Sequence, residues 1–302
     1  MTGWWFVISI VIIGIAVSTG TGQRNLREDA EDGNGNIAAI IGGTNATDNA
    51  WPWQVSIRYR GRFMCGGTLL NEDTVLTAAH CIFKQQTPDR LRGRFMCGGT
   101  LLNEDTVLTA AHCIFKPRAQ RFRVLAGDYN RQEAEPHRNE QKIKVKKIRI
   151  HRDYNRTTLI NDVAILKLLT PVQFGTYIQP IELAKKSMDI SQSKCYITGW
   201  GMRDKDDKTS SATILQQTAV SVITNEECQK GIRGRITDDM ICTEDPDRAT
   251  CYGDSGGPLQ CEIKPGRWVQ VGITSWGNLD CLDGPSVYSR ISYNRAWITR
   301  RM

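Results

Sequence analysis

Hydrophobic and polar positions change rhythm twice along the chain. Residues 4–17 form an apolar run, and no charged side chain precedes Arg24. Fourteen residues are too few to cross a bilayer comfortably but suit the core of a secretory signal, with Ser18, Gly20 and Gly22 as small residues at a cleavage region. Residues 1–22 are therefore expected to be a signal peptide, with a membrane anchor as the rival reading. Residues 23–39 are acidic and rich in Gly and Asn, and hold no cysteine. They predict a flexible pro-segment. From Ile40 onward the period becomes two. Residues 53–57, 122–125, 142–150 and 220–223 cluster or alternate β-branched and aromatic side chains between Gly, Asn and Asp breaks. The best helical pattern is at residues 293–301, with Trp297 and Ile298 on its apolar face. Many short strands predict an all-β sandwich or barrel.

One segment interrupts this order. Residues 61–84, GRFMCGGTLLNEDTVLTAAHCIFK, recur letter for letter at residues 93–116. Solenoid arrays need three or more copies to bury their faces, so two copies do not make one. Each copy carries two cysteines and one histidine, His80 or His112. One copy is surplus, and its apolar strand positions would need a place to be buried. A spare strand with open edges invites aggregation.

Composition narrows the class. The ten cysteines form an even set that suits disulfides in an oxidising compartment. Asn45-Ala46-Thr47 and Asn155-Arg156-Thr157 are glycosylation sequons and agree with export. Together these predict a secreted, extracellular protein. The chain has a formal net charge of +7, although residues 23–39 are net acidic. Lys142, Lys144, Lys146, Lys147, Arg149 and Arg152 alternate with Ile143, Val145, Ile148 and Ile150. Period-two alternation makes this the solvent face of a strand. The same run is also a basic patch for an acidic polysaccharide or membrane surface.

The chemistry concentrates in CYGDSGGPL, residues 251–259. A serine between Gly253 and Gly256-Gly257 can sit where backbone N–H groups converge on a developing oxyanion, because glycine permits close backbone approach. LTAAHC supplies a histidine, and NDVAIL at residues 161–166 places an aspartate ahead of an apolar strand. No metal cluster, nucleotide loop or nucleic-acid motif is evident, so no cofactor, metal or nucleic-acid partner is expected.

With IIGG, WPWQVSI, CGGTLL, LTAAHC, NDVAIL, ITGWG, GDSGGP and SWG in this order, the chain resembles the trypsin/chymotrypsin family of serine endopeptidases from Ile40 to the C-terminus. The order His, Asp, Ser matches that family's triad. The resemblance implies two antiparallel six-stranded β-barrels packed together, a short C-terminal helix and an active site between the barrels. It implies a peptidase domain at residues 40–302, with the tandem duplicate 61–84 / 93–116 inside it. Ser255 would be the nucleophile, Asp162 the residue orienting the histidine, and Ser275 a support for Asp162. The N–H groups of Gly253 and Ser255 would form the oxyanion hole.

Either His80 or His112 could be the base. His112 is slightly preferred, because it lies 50 residues before Asp162, close to the family's separation, and keeps the rest of the domain continuous.

The family pairing of cysteines implies Cys195–Cys261, Cys228–Cys242 and Cys251–Cys281. The two repeats add Cys65–Cys81 and Cys97–Cys113, with cross-pairs between the copies left open. Cleavage between Ala39 and Ile40 would free an amine to pair with Asp254. Ala39 departs from the family's usual basic residue, so the activator must accept a small one. Ala249, Gly277 and Ser286 would line the specificity pocket. Lacking an anion at its base, that pocket implies preference for an uncharged residue, as in the chymotrypsin and elastase branches. The partners implied are protein or peptide substrates and protease inhibitors, with weak polyanion binding at the basic run and a monomeric state. A catalytically inactive homologue acting as a binding module is the alternative.

Overall fold

The computed structural model describes residues 40–82, 100–103, 106–109, 119–133, 136–207, 209–278 and 280–302, with the backbone alone for residues 71, 82, 100–103, 106–109 and 136. The expected signal peptide and pro-segment lie outside the described residues. So do His112, Cys97 and Cys113 of the second copy.

The strands in chain order are β1 (Thr44–Asn45), β2 (Gln54–Tyr59), β3 (Arg62–Asn71), β4 (Thr74–Thr77), β5 (Thr100–Asn103), β6 (Thr106–Thr109), β7 (Phe122–Ala126), β8 (Gln141–Ile150) and β9 (Ala164–Leu168). They continue as β10 (Glu182–Leu183), β11 (Lys194–Gly199), β12 (Gln216–Val220), β13 (Val222–Ile223), β14 (Met240–Thr243), β15 (Pro258–Lys264), β16 (Arg267–Gly277) and β17 (Ser286–Arg290). Two helices interrupt and end the series, α1 (Asn225–Gly231) and α2 (Ile291–Thr299). Helix α1 starts with a capping box: Thr224 accepts from the Glu227 N–H, and the Glu227 carboxylate accepts from the Thr224 N–H. Helix α2 buries Ile291, Trp297 and Ile298, the face expected from the sequence.

Strands β2 to β9 close a barrel in the order β2-β3-β4-β5-β6-β9-β8-β7. This corrects the expected six strands to eight. The physical reason is the repeat: β5 and β6 are the second copies of the C-terminal part of β3 and of β4, and carry the same pairing pattern. The second sheet runs β1-β12-β11-β15-β16-β17-β14-β13, with β10 alongside β16, nine strands in all. Three of these, β1, β10 and β13, are two residues long. The six longer ones form the barrel-like body.

The duplicate strands seek the same partners. Leu76 on β4 and Leu108 on β6 both pair with Ile165, and Thr77 and Thr109 both pair with Ala164. Val75 likewise pairs with Leu69 on β3 and with Leu101 on β5. Register follows the hydrophobic pattern, so identical segments compete for one slot. The first copy is continuous with β2 through the hairpin at Arg60-Gly61, where Gln54 pairs with Thr68 and Val55 with Gly67.

Buried polar groups join the two barrels. Trp53 Nε1 donates to Gln260 Oε1 at 2.6 Å, Gln260 Nε2 donates to Thr198 Oγ1 at 3.2 Å, and Thr198 Oγ1 donates to Gln54 Oε1 at 2.6 Å. Gln54, Gln260 and Thr198 are buried, so each satisfied bond also fixes how β2 meets β11 and β15. Among the described residues four disulfides are present: Cys65–Cys81, Cys195–Cys261, Cys228–Cys242 and Cys251–Cys281.

Candidate active site

Four chain segments meet where the barrels join. Strand β4 ends at Thr77, and His80 follows it. Asp162 immediately precedes the buried Val163 and strand β9. Ser255 sits in the turn before β15, and Ser275 lies on β16.

The aspartate is held from every side. Asp162 is fully buried. Its Oδ1 accepts the His80 backbone N–H at 3.2 Å, and its Oδ2 lies 3.2 Å from His80 Nδ1. Ser275 Oγ donates to Oδ2 at 2.6 Å, and Ser289 Oγ donates to the Asp162 carbonyl at 3.0 Å. Asn161, just before it, takes φ +54° and gives its N–H to Asp239 Oδ2 at 2.7 Å. Asparagine tolerates that left-handed conformation better than most residues. A buried carboxylate gripped by several donors is fixed in place, which suits it to orienting an imidazole.

Asp162 is therefore engaged by His80. His112, slightly preferred from the sequence, lies outside the described residues. His80 reaches Asp162 through the continuity of the first copy. Strand β3 follows β2 directly, the Cys65–Cys81 bridge anchors residue 81 to it, and His80 is delivered beside Asp162. Cys81 Sγ in turn lies 3.2 Å from the Ser255 carbonyl oxygen, so the histidine segment abuts the serine turn. Burial lowers the His80 pKa well below its usual 6.5, leaving the ring neutral and able to accept a proton at neutral pH.

The serine turn is built by its glycines and by Asp254. Gly253 takes φ +112°, a conformation that side-chain-bearing residues rarely adopt. The Asp254 N–H donates to the Cys251 carbonyl at 3.0 Å and the Gly257 N–H to the Asp254 carbonyl at 2.9 Å. The Gly253 and Ser255 N–H groups donate to no described residue, leaving two neighbouring donors for a ligand oxygen. The Asp254 carboxylate is buried and accepts from Gly201 N–H at 2.8 Å and Cys251 N–H at 3.0 Å. A Cβ at Gly201 would collide with it, so only glycine fits there. Burial pushes the Asp254 carboxyl up to about 6 despite those donors.

Of the three positions expected to line a specificity pocket, two are paired directly across neighbouring strands. Ala249 is buried and bridges to Ile41. Gly277 and Ser286 face each other across β16 and β17. Tyr288, fully buried behind them, hydrogen-bonds Thr243 at 3.1 Å and also Thr250 and Ser286, and burial pushes its hydroxyl up to about 12. Asp280 pairs with Lys205 at 3.5 Å on the surface, and Asp283 is exposed.

Sequence reasoning missed the roles of Ser289, Asp239, Gly201 and the Gln54–Thr198–Gln260 network. Ser289, Asp239 and Gln260 stand in none of the quoted motifs, while Gln54, Thr198 and Gly201 stand in WPWQVSI and ITGWG, which do not reveal the distant residues they reach.

The trypsin family model matches residues 40–92 and again residues 83–298. The chain belongs to the trypsin family. The two matches overlap between the repeats, so each contains one whole copy of the histidine segment. Among solved structures, the chain is similar to neuropsin, a serine protease expressed in the limbic system of mouse brain. The identity is 28% and the TM-score 0.67, covering 87% of this chain and 100% of that one. Family and fold together make this chain a serine endopeptidase, a hydrolase of peptide bonds whose partners are protein substrates.

Proposed function

We propose that the protein is a secreted, glycosylated zymogen whose mature domain starts at Ile40. It cleaves peptide bonds through an acyl-enzyme on Ser255, with His80 as base, Asp162 as its orienting partner, and the Gly253 and Ser255 N–H groups as the oxyanion hole. The observation that carries this reading is the Ser275–Asp162–His80 chain of contacts ending beside the serine turn. A fluorophosphonate probe, which reacts with activated serines, is expected to label the chain cleaved at Ile40 and to fail on Ser255→Ala. Absence of label on the cleaved wild-type chain would favour the non-catalytic homologue instead.

Activation follows from the chemistry around Ile40. Its side chain is fully buried, and its backbone holds φ +60°, a costly conformation for a β-branched residue. Cleaving the Ala39–Ile40 bond removes the preceding carbonyl that this dihedral opposes, and frees a cation for Asp254. The uncleaved chain carries the cost of charging Asp254. Its carboxyl rises from 3.8 to about 6. That shift is worth roughly 3 kcal/mol. Between these two values the folded state binds more protons than the unfolded one, so stability falls as pH rises from about 4 to about 6. Denaturant unfolding of a Ser255→Ala zymogen is expected to show this loss. The chain cut at Ile40 is expected to show much less, because the ammonium lowers the Asp254 pKa. Equal pH profiles would sink the pairing.

The pocket favours uncharged side chains, since Ala249 puts no anion at its base and the nearby Asp280 is engaged by Lys205. An unpaired buried cation there costs several kcal/mol. Peptide substrates with Leu or Phe before the scissile bond are expected to exceed Lys or Arg by roughly 100-fold in kcat/KM. A preference for Lys or Arg would overturn this assignment. The match between Ala39 and a neutral pocket also allows self-processing, which fails if the Ser255→Ala zymogen matures as fast as wild type in isolation.

Of the two sequon asparagines, Asn45 is exposed on β1, and Asn155 is exposed in a turn closed by its own Oδ1 at 2.9 Å from the Thr157 N–H. Both stand open to glycosylation.

A further inference from the structure

Strand β8 carries more charge than a solvent face needs. Its burial alternates at first, with Ile143 and Val145 inside and Lys142, Lys144 and Lys146 outside. Strict alternation would then turn Lys147 and Arg149 inward. A register shift between Val145 and Lys147 against β9 prevents this, placing Lys146 and Lys147 both outward and keeping Arg149 exposed. Such a bulge redirects the following side chains without ending the strand. The result is five cations on one side of a ten-residue strand, a stripe roughly 23 Å long.

The stripe continues in both directions. Arg123 on β7 pairs directly across from Lys144 and so shares its face. At the other end, the His151 ring lies 4.8 Å from the Trp297 ring of α2, and the Arg301 guanidinium stands 4.3 Å over the same indole. Burial lowers the Arg301 pKa first, and Arg300, Arg149 and Arg152 lie close enough to lower it further. An anion there would relieve that repulsion. Acidic neighbours offset little of this. Asp153 pairs with Arg152 at 3.2 Å, and Lys167, opposite Lys147, is taken by Asp73 at 3.9 Å. Among the described residues, Lys142, Lys144, Lys146, Lys147 and Arg149 form no ion pair.

We propose that this band, from Arg123 along β8 to Arg300 and Arg301, is a binding site for a linear sulfated polysaccharide. A straight row of cations matches a linear polyanion. The outward face of β8 offers only Lys and Arg, with no aromatic platform on which bases could stack, so single-stranded nucleic acid is the poorer match. It also offers no exposed apolar anchor for a bilayer. None of the band's residues is among those placed at the active site, so a polysaccharide bound there serves to hold the protease on a matrix.

The test uses the full chain activated at Ile40, with heparin as probe. Binding is measured across salt concentrations, because neutralised sulfates release counterions and steepen the salt dependence. Lys146→Gln/Lys147→Gln is expected to weaken binding about tenfold or more and flatten the salt slope by about two. Its kcat/KM on a small peptide should be unchanged, which also reports folding. Arg233→Gln/Arg235→Gln, two exposed cations beyond α1, removes the same net charge and is expected to leave affinity nearly unchanged. Equal losses in both variants would reduce the effect to overall charge and overturn the site. Equal affinity for fully desulfated heparin, or tighter binding to single-stranded DNA or phosphatidylserine vesicles, would overturn the assigned ligand.

Discussion

His80→Ala is expected to lower kcat by roughly 10⁴- to 10⁶-fold, whereas His112→Ala leaves it unchanged. The two histidines stand in identical 24-residue sequences, so nothing local distinguishes them. Position alone does. His80 offers Asp162 both its backbone N–H and its Nδ1, each at 3.2 Å, while the next residue is bridged to Cys65 and touches the serine turn. Losing the imidazole removes the base that takes the serine proton and the acid that returns it to the leaving amine. The residual rate would come from the oxyanion donors and substrate binding. The measurement is single-turnover acylation of each variant after cleavage at Ile40, with active sites titrated by a fluorophosphonate. A large loss in His112→Ala with His80→Ala intact would reverse the assignment. Partial losses in both would mean that the copies share the slot on β9, each in a fraction of molecules.

Removing 32 residues is expected to stabilise the protein and keep it active. Deleting residues 61–92 or residues 85–116 yields the same 270-residue polypeptide, because the copies are identical. One variant therefore tests the surplus without deciding in advance which copy to discard. In the full chain, β6 claims the partners on β9 that β4 also claims, and β5 claims Val75 from β3. Pairing energy gained by one copy is thus denied to the other, while the chain between them must still be closed into a loop. That closure costs about 3 kcal/mol for a segment of this length. Recovering it should raise Tm by roughly 6–12 °C. Thermal unfolding of the two chains, each carrying Ser255→Ala to prevent self-digestion, reads the shift, and peptide hydrolysis by the active forms reads function. A deletion that lowers Tm would mean that β5 and β6 are structural strands of an eight-stranded barrel.

Much of the architecture was legible in the chain itself. The period-two runs at residues 53–57 and 122–125 became β2 and β7, and the apolar face at Trp297 and Ile298 became the buried side of α2. The alternation at residues 142–150 became β8, but the bulge at Val145 to Lys147 was hidden, since a register shift depends on what the neighbouring strand offers. Motifs marked out the serine turn and Asp162 because each uses glycines or a charge at fixed local spacing. Ser289 and Asp239 left no such trace, and Gly201, although part of ITGWG, gave no sign of its contact with Asp254. Their roles arise from residues dozens of positions away that only folding brings near.

By itself, the sequence determined the class of chemistry and the set of groups able to perform it. It left two histidines equal, because identical local sequence has identical local preference. The tertiary structure brings His80 to a buried carboxylate through non-local pairing: β3 and β4 follow β2 without interruption and close the barrel against β9. It also raised the first barrel from six strands to eight, because strands that repeat a sequence repeat its register, and a sheet edge accepts whichever copy reaches it.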